Sequence, residues 1–529
     1  MITRVIPRHL VVTLAALALA RPLLAQCPDG TPPPCRSPAA ARATSAPPPA
    51  PTSVAVLPLQ NRSPDSADAY LAEGLTEEVG NRLTQLGRLQ VKARGLVEAQ
   101  WRRTPDPFDA ARRLNVAWFV HGNVRHAGAQ LLVNVELVRT TTGEEVWASR
   151  FARRDADVFA VQAEVAESVA VVVGGRLSPV ERATIARRPT RDNEAFRLHL
   201  YGNTLVKRRT PEDVQAAIDA YTQAVERDSG FAAAWAALGA ARAIYYSWGW
   251  NTAVPRESLL VLARVAAQRA VALDSTLAEA WTADAVVAIW ERDFGRAQSS
   301  CGRSLRLDSL SADAYHVCAG LYSAEYGLVD GSRAEPLFRH ALALDPDLRN
   351  TWRLLARTKT ADGRLAEAEA LLDTALAIAP WAPGFDDRAN IRFLRGNGAG
   401  SLADLAESER LGGGPDSLAR ALYATALGDS AAARALLARI RATADSVPPL
   451  NLAVARLSAA LGMRAQALTA LERYRAVPNP SETRCTPTTT CSVSLDTWRL
   501  LHDPIFAPLH REPRFVRLME ETRPRVPWR

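Results

Sequence analysis

The histidines and lysines of this chain, residues often used for acid–base, metal and phosphate chemistry, do not stand in catalytic spacings. The sequence contains no HExxH, CxxC or GxSxG motif. None of the three lysines (Lys92, Lys207 and Lys359) follows the glycine that a phosphate-binding loop requires. His121 and His126 lie five residues apart on a predicted strand and point to opposite faces, which argues against a shared metal. These patterns predict a protein that is not an enzyme and holds no metal or cofactor.

Six cysteines occur as three pairs of sequence neighbours. The candidate disulfide cysteines are Cys27, Cys35, Cys301, Cys318, Cys485 and Cys491. Disulfides form in exported chains, but spacing alone does not determine which cysteines pair. The first and last pairs flank loops and could close small rings. The middle pair falls at core positions of successive helical units, where buried thiols and a bond both fit the pattern.

The elements that would position these side chains are indicated by a repeat at residues 348–380. With Trp352 counted as position 4, small and large apolar residues, a glycine and a final proline fall at set positions. They are Leu355, Ala356, Gly363, Ala368, Leu372, Ala375 and Pro380. This is the pattern of the tetratricopeptide repeat, two antiparallel helices in about 34 residues. Similar units precede this one and degenerate units follow it, so residues 193–477 are predicted to form an all-α superhelix.

Positions 2, 5, 9 and 12 of each unit are expected to face the concave groove of such a superhelix. In the clearest repeat these are Asn350, Arg353, Arg357 and Thr360, and the preceding unit contributes Asp313 and His316. Forked arginine hydrogen bonds from this set would hold an acidic peptide or a chain-terminal carboxylate. The alternative is an ordinary solvated helix face.

An insertion at residues 246–257 interrupts one repeat between its two helices. It carries the aromatic residues Tyr246, Trp248 and Trp250. These side chains would either form an exposed platform for a partner or fold back onto neighbouring helices.

The first residues have the pattern of an export signal, predicted to span residues 1–25. Arg4 and Arg8 precede an apolar run at residues 10–20, which is too short to span a bilayer. Cleavage is predicted after Ala25, ahead of a Pro/Ala-rich linker at residues 26–52. Lipidation of Cys27 is the less favoured alternative, because Gln26 is not the small residue expected there. No later apolar stretch is long enough to span a membrane, so we expect a periplasmic or cell-envelope protein.

Residues 53–178 change character and predict a small α/β domain. Short apolar strands at residues 53–59 and 89–92 flank an amphipathic helix at residues 68–86. Three strand-like runs then follow between residues 117 and 151, separated by turns, and indicate an antiparallel meander. A helix at residues 158–173 is expected to close the domain.

The motif order of this domain resembles the TolB amino-terminal-like domain that precedes tetratricopeptide repeats in bacterial sensor and regulator proteins. The resemblance is carried by VAVLPLQNRS, YLAEGLTEEVGNRL, LQVKAR and VHGNVRHAG, and covers roughly residues 53–475. It implies an α+β multidomain chain with protein contacts and no catalytic residues. The family's module often follows a DNA-binding or kinase domain, whereas here an export signal is predicted. Residues 478–529 are predicted to cap the last repeat.

The charge pattern excludes no soluble fold but argues against nucleic-acid binding. Lysine and arginine total 64 against 56 acids, a net charge of +8, with both signs interspersed on predicted helix faces. We therefore predict an exported scaffold that binds a protein or peptide partner through its grooves. The alternative is an envelope sensor that binds a small ligand in an apolar cleft between the α/β domain and the repeats, near residues 180–250. An enzyme would require clustered acids or histidines, and the sequence shows no such cluster.

Overall fold

The computed structural model describes residues 48–475 and 502–522. Short gaps within the first range fall at residues 65–68, 128–129, 155–157, 249, 251–253, 324–325, 445–446 and 448–449. The predicted signal peptide, most of the linker, and Cys27, Cys35, Cys485 and Cys491 lie outside the described residues. Among the helices in the described part, none is long and apolar enough to cross a membrane.

The α/β domain is built on one mixed sheet. Its strands are β1 (Ser53–Val56), β2 (Gln60–Asn61), β3 (Gln90–Val91), β4 (Trp118–Ala127), β5 (Gln130–Arg139) and β6 (Glu145–Arg154). The strand order is β3-β1-β4-β5-β6, with β1 parallel to both neighbours and β2 paired parallel to β4. The strands β4, β5 and β6 form the predicted antiparallel meander.

Helices cover both faces of this sheet. They are α1 (Ala69–Gln85), α2 (Arg94–Arg103), α3 (Pro107–Arg113), α4 (Val158–Gly174) and α5 (Pro179–Ala186). Successive residues of a strand point to opposite faces. Val120 accordingly packs in the core with Leu75 of α1, whereas Phe119 packs in a second core with Val97 of α2.

Within the described part of residues 193–475, sixteen helices form the repeats. They are α6 (Asn193–Val206), α7 (Pro211–Arg227), α8 (Ala232–Trp248), α9 (Arg256–Leu273), α10 (Ala278–Trp290), α11 (Phe294–Leu307), α12 (Ala312–Tyr322), α13 (Gly331–Leu344), α14 (Arg349–Ala361), α15 (Leu365–Ile378), α16 (Ala382–Leu394), α17 (Gly398–Arg410), α18 (Ser417–Thr425), α19 (Ala431–Ala444), α20 (Leu450–Ala460) and α21 (Arg464–Arg475). Even-numbered helices are the first of each pair and odd-numbered helices the second. The fold is therefore a mostly helical solenoid with a small mixed sheet region before it.

The turns between pairs repeat the same hydrogen bonds, which explains the spacing seen in the sequence. The tryptophans at position 4 donate from Nε1 to a carbonyl six residues earlier. These bonds are Trp235 to Ser229, Trp281 to Ser275 and Trp352 to Pro346, at 2.8–3.0 Å. An aspartate after the second helix accepts from the backbone two residues on, at Asp228, Asp274, Asp308 and Asp345.

The first helices lie on the inner side of the solenoid. Besides packing on its own second helix, α8 contacts both α6 and α10, and α10 contacts α12. Close approach of α8 and α9 depends on Gly239, where a Cβ would lie 3.0 Å from the Ala267 nitrogen. Because the first helices contact one another in succession, they form the concave side of the solenoid. Their residues that point away from the second helices line this concave face.

Residues 502–522 pack against the last helix pair. A 3₁₀ helix (Pro504–Leu509) and α22 (Pro513–Thr522) bury Phe506 and Phe515. These rings share a hydrophobic cluster with Leu457 of α20 and Leu471 of α21. This end of the solenoid core is therefore covered by the segment that follows it.

Candidate functional site

The α/β domain contacts the solenoid at two separate places, through α1 against α6 and through α2 against α13. We call the inner-face region between these two places the hollow, with α1 and α2 on the side of the α/β domain and α10 and α12 on the side of the solenoid. Ionisable side chains that influence one another electrostatically mark this region: Glu77, Arg209, Glu279, Asp313, His316 and Asp345.

The first contact joins α1 to α6 and is apolar at its centre. Gly74 leaves no room for a side chain against Leu200, and the rings of Tyr70 and Tyr201 meet edge to face at 6.1 Å. Residues of both elements belong to one hydrophobic cluster that continues from the sheet to α9. This contact therefore fixes the α/β domain to the first repeat.

The second contact joins α2 to the turn that follows α13. Arg102 Nε donates to Asp347 Oδ2 at 3.1 Å. A side chain at Gly95 would clash with Asp345, so the α2 backbone lies directly against this turn. The α/β domain thereby reaches from the first repeat to a turn several repeats further along.

Arg209 is the unpaired cation of the hollow. Its backbone has φ 58°, a left-handed conformation unusual for a residue other than glycine and one that recurs at functional sites. Its side chain is exposed to water but surrounded by protein, and this desolvation lowers its pKa. Asp313, Tyr326 and Tyr221 are its electrostatic neighbours. Among the described residues, no carboxylate lies within ion-pair distance of its guanidinium.

Glu279 and Asp313 are the unpaired acids. Both occupy position 2 of a first helix, and both are exposed. Desolvation by the surrounding protein raises the pKa of Glu279 to about 7, and the charges of Asp308, Glu77 and Glu78 act in the same direction. Over the part of the chain that is described, neither carboxylate has a basic side chain within ion-pair distance.

His316 lies beside this set and is held neutral. Its Nδ1 is hydrogen-bonded to Thr351 Oγ1 at 2.8 Å. Burial lowers the pKa of His316 to about 4, and the nearby Arg209 charge lowers it further, whereas Asp313 opposes the shift. The imidazole therefore offers hydrogen bonding and no charge at neutral pH.

The other predicted groove residues are occupied by contacts within the fold. Arg357 donates two hydrogen bonds to Asp387 of α16, at 2.8 and 2.7 Å, and Arg353 forms an ion pair with the same carboxylate at 2.9 Å. Asp387 is 8% exposed. Asn350 accepts from Arg353 at 3.1 Å, and Thr360 is buried and donates to the Ala356 carbonyl. Peptide binding by these residues stays a prediction.

The same arrangement continues along the next helices. Arg388 and Arg392 both donate to Asp404 of α17, at 2.7–3.0 Å. Arg392 also donates to Glu369 at 2.9 Å. The charge-assisted bonds to Asp404 join the two helices of one repeat, and the bond to Glu369 joins neighbouring repeats.

Some aromatic side chains of the insertion pack against the fold, and one is largely exposed. Trp250 meets Tyr245 edge to face at 5.3 Å and stacks with Trp248 at 5.5 Å. Tyr246 contacts the ring of Trp290 at 5.8 Å. Tyr246 and Trp250 pack against the hydrophobic core, whereas Trp248 is 43% exposed.

Cys301 of α11 and Cys318 of α12 form a disulfide. Their Cα atoms are 5.5 Å apart and both side chains are buried. The bond connects two adjacent repeats beside Asp313 and His316. Of the two arrangements that the sequence allowed for this pair, the structure has the bonded one.

Sequence reasoning missed the contribution of Arg209, Glu279 and Glu77. The register rule that selected Asp313 also selects Glu279, two residues before Trp281, so a signal for this residue was present. The repeat register gave no signal for Glu77, which lies in the α/β domain, or for Arg209, which lies in a turn. The fold brings Glu77 into the electrostatic surroundings of Glu279, about 200 residues further along the chain.

The alternative hypothesis, a small ligand bound in an apolar cleft between the α/β domain and the repeats near residues 180–250, stays a prediction. The hollow between these parts is marked by ionisable side chains. A cavity of about 10 Å³ does lie inside the α/β core, lined by valines and leucines such as Val56, Leu75 and Val133. It has the size of one water molecule and offers no polar group to orient a ligand.

Comparison with known proteins identifies the repeats. The tetratricopeptide repeat family matches residues 330–382. The chain therefore contains tetratricopeptide repeats.

The chain is also similar to a bacterial protein. It is 30% identical over 250 residues to a protein of Rhizobium meliloti (strain 1021) named "Putative adenylate cyclase 3", a match that covers 47% of this chain and 42% of that protein. The chain thus spans less than half of the curated relative that it matches.

Solved structures of repeat proteins are also similar. A thermophilic tetratricopeptide-repeat protein of Thermus thermophilus has 19% sequence identity and a TM-score of 0.31, with 40% of this chain and 99% of that chain covered. Yeast Tom70 has 13% identity and a TM-score of 0.36, with 69% and 82% covered.

Proposed function

We propose that the chain is an exported, non-enzymatic scaffold of the cell envelope that binds a protein or peptide on the inner face of its repeats. The observation that carries this proposal is a set of exposed ionisable side chains in the hollow, Arg209, Glu279 and Asp313, which have no ion-pair partner among the described residues. A cationic partner would lower the raised pKa of Glu279 and so ionise it. Charges placed inside a concave surface without an ion-pair partner are available to one supplied by another molecule.

The charges in the hollow define the partner's chemistry. Arg209 suits a carboxylate, and Glu279 and Asp313 suit lysine or arginine side chains. A partner segment that carries both signs would satisfy all three residues. A folded surface or a peptide meets this requirement.

Export is supported by two features. The first residues have the charge and hydropathy pattern of a signal peptide. The buried disulfide between Cys301 and Cys318 is of a kind that persists mainly in oxidising compartments. In this proposal the α/β domain, which resembles the TolB amino-terminal-like module, forms the second wall of the binding surface.

Capture from envelope extract with charge-reversal variants tests the proposal. The inner variants are Arg209→Glu, Glu279→Arg and Asp313→Arg. Matched outer controls are Glu226→Arg on α7 and Arg269→Glu on α9, both exposed on second helices. We expect the same partners with the parent and the outer controls, and their loss with the inner variants. Equal recovery by inner and outer variants would reject the inner face as the binding surface.

The name of the bacterial relative makes cyclase activity the competing function. Incubating the purified full chain with ATP and a divalent cation, and measuring cyclic AMP, separates the two. We expect no product above that of a buffer control. Product formation that is abolished by Glu279→Gln would replace the scaffold with an enzyme.

A further inference from the structure

The two contacts between the α/β domain and the solenoid differ in kind. The α1–α6 contact is part of a continuous hydrophobic core. The contact between α2 and the turn at residues 345–347 has no hydrophobic cluster in common between the two sides, as far as the structure is described. We propose that the second contact is a latch, which holds the α/β domain closed over the hollow and opens to admit a partner. This inference rests on the proposed function of the hollow.

The hinge side of this arrangement is firmly held. Besides the Gly74–Leu200 approach, Phe159 of α4 packs on Phe196 of α6 with ring centroids 4.6 Å apart. Arg197 donates to the Tyr70 hydroxyl at 3.0 Å. Apolar burial of this extent does not separate in water without unfolding part of the core.

The latch side depends on one exposed ion pair. The Arg102 side chain is 55% exposed, and its partner is Asp347. Ion pairs between exposed side chains are weak. This contact can therefore break while both domains remain folded.

Like charges surround that ion pair and oppose closure. Burial raises the pKa of Asp345 in the turn, and the charges of Asp313 in the hollow, Asp347 and Glu98 of α2 act in the same direction. Arg102 is also near Glu98, at 3.9 Å. Removing or reversing the Arg102 charge leaves carboxylates facing carboxylates across the contact, which would drive α2 away from the turn.

Gly95 sets how close the two sides approach. A Cβ at this position would overlap the Asp345 side chain. Gly80 on α1 is a matched control, because nothing lies within 4 Å of a Cβ there. Gly95→Ala therefore wedges the latch, and Gly80→Ala does not.

A charge swap tests the latch in the full chain without any partner. Asp313→Cys places a thiol in the hollow, and its rate of modification by a bulky polyethylene-glycol maleimide reports opening. Arg303→Cys on the outer helix α11 reports general reactivity. In the Asp313→Cys background, we expect Arg102→Glu and Asp347→Arg each to speed modification about fivefold, and the double swap to restore the parent rate.

The outcomes separate this inference from the proposed function. Faster modification with Gly95→Ala but not with Gly80→Ala, at unchanged Arg303→Cys rates, would support the latch a second time. Equal Asp313→Cys rates in all variants would overturn it, whether or not partner capture succeeds. Loss of capture specificity with unchanged latch behaviour would overturn only the binding surface. Circular dichroism of each variant confirms that the chain remains folded.

Discussion

The two halves of the inner face use charged residues differently. Along α10 and α12 the charges are exposed and unpaired, as at Glu279 and Asp313. Along α14 and α16 they are locked together, as when Arg353 and Arg357 both bind Asp387. The repeat framework is the same, so a residue's position in the repeat determines where its side chain lies but not whether it is available to a partner.

The physical reason is desolvation. A buried carboxylate such as Asp387 is stable only with arginine partners, so these arginines serve the fold. In the hollow the side chains stay exposed and have no ion-pair partner among the described residues, although the surrounding protein partly desolvates them, lowering the pKa of Arg209 and raising that of Glu279. Substitutions in both halves separate charges that maintain the structure from charges that are available to a partner.

The largest effect is expected from removing the acid that two arginines share. Asp387→Ala leaves Arg353 and Arg357 without their acceptor, and we expect a loss of about 3–5 kcal/mol in the free energy of unfolding. Urea unfolding followed by circular dichroism measures it. The control is Asp313→Ala, for which we expect a change within about 0.5 kcal/mol. Equal losses in both variants would remove the distinction between the two halves.

Loss of the disulfide should come next. The bond between Cys301 and Cys318 closes a loop with a sequence separation of 17. Cys301→Ala with Cys318→Ala should therefore lower the free energy of unfolding by about 3 kcal/mol. Thermal melting of this variant is compared with that of the parent. A variant as stable as the parent would show that apolar packing alone joins these repeats.

The aromatic insertion predicts an unequal pair of effects. Trp250→Ala removes a ring that packs on Tyr245, and we expect a loss of about 2 kcal/mol, below that for a fully buried tryptophan. Trp248→Ala should cost less than about 1 kcal/mol, because this ring is largely exposed. Urea unfolding compares them. The reverse order would assign Trp248 to the core and Trp250 to the surface.

The pH dependence of one unpaired acid is also expected to differ between variants. The pKa of Glu279 is raised to about 7 in the folded chain from an ordinary value of 4.5, so the folded state binds this proton more tightly than the unfolded state. Stability contributed by the bound proton is present below pH 4.5 and is lost as the pH rises through 7. Relative to the parent, Glu279→Gln should therefore gain stability between pH 4.5 and 7. Melting temperatures across this range measure the difference, and identical pH profiles for Glu279→Gln and the parent would contradict it.

Much of the repeat architecture could be predicted from the sequence, because its spacing has a local cause. Trp235, Trp281 and Trp352 each bind the carbonyl of the preceding turn, so the motif and the contact lie within one short segment. The meander in the α/β domain was also predicted, from alternating apolar residues. Two helices of that domain were missed. The first, α2, begins without a side-chain cap at Ala93, whereas α5 has a capping box between Ser178 and Glu181 that could have been found.

The site could be predicted only in part. Repeat register placed Asp313 and His316 on the inner face, and the same register would have added Glu279. Repeat register did not predict which charged side chains form ion pairs. Asp387 lies in the following repeat, and its bonds to Arg353 and Arg357 depend on tertiary packing. The position of Glu77 opposite Glu279 depends on how the α/β domain folds back, which no local pattern encodes.

The most direct test of the central claim is site-specific photocrosslinking of the full chain in cells. A photoreactive side chain is placed at Glu279 or Asp313 in the hollow, at Asn350 on the paired half, and at Glu226 or Arg269 on the outer surface. We predict covalent adducts with a partner from the two positions in the hollow and none from the other three. Adducts from Asn350 or from the outer positions, with none from Glu279 or Asp313, would contradict the account.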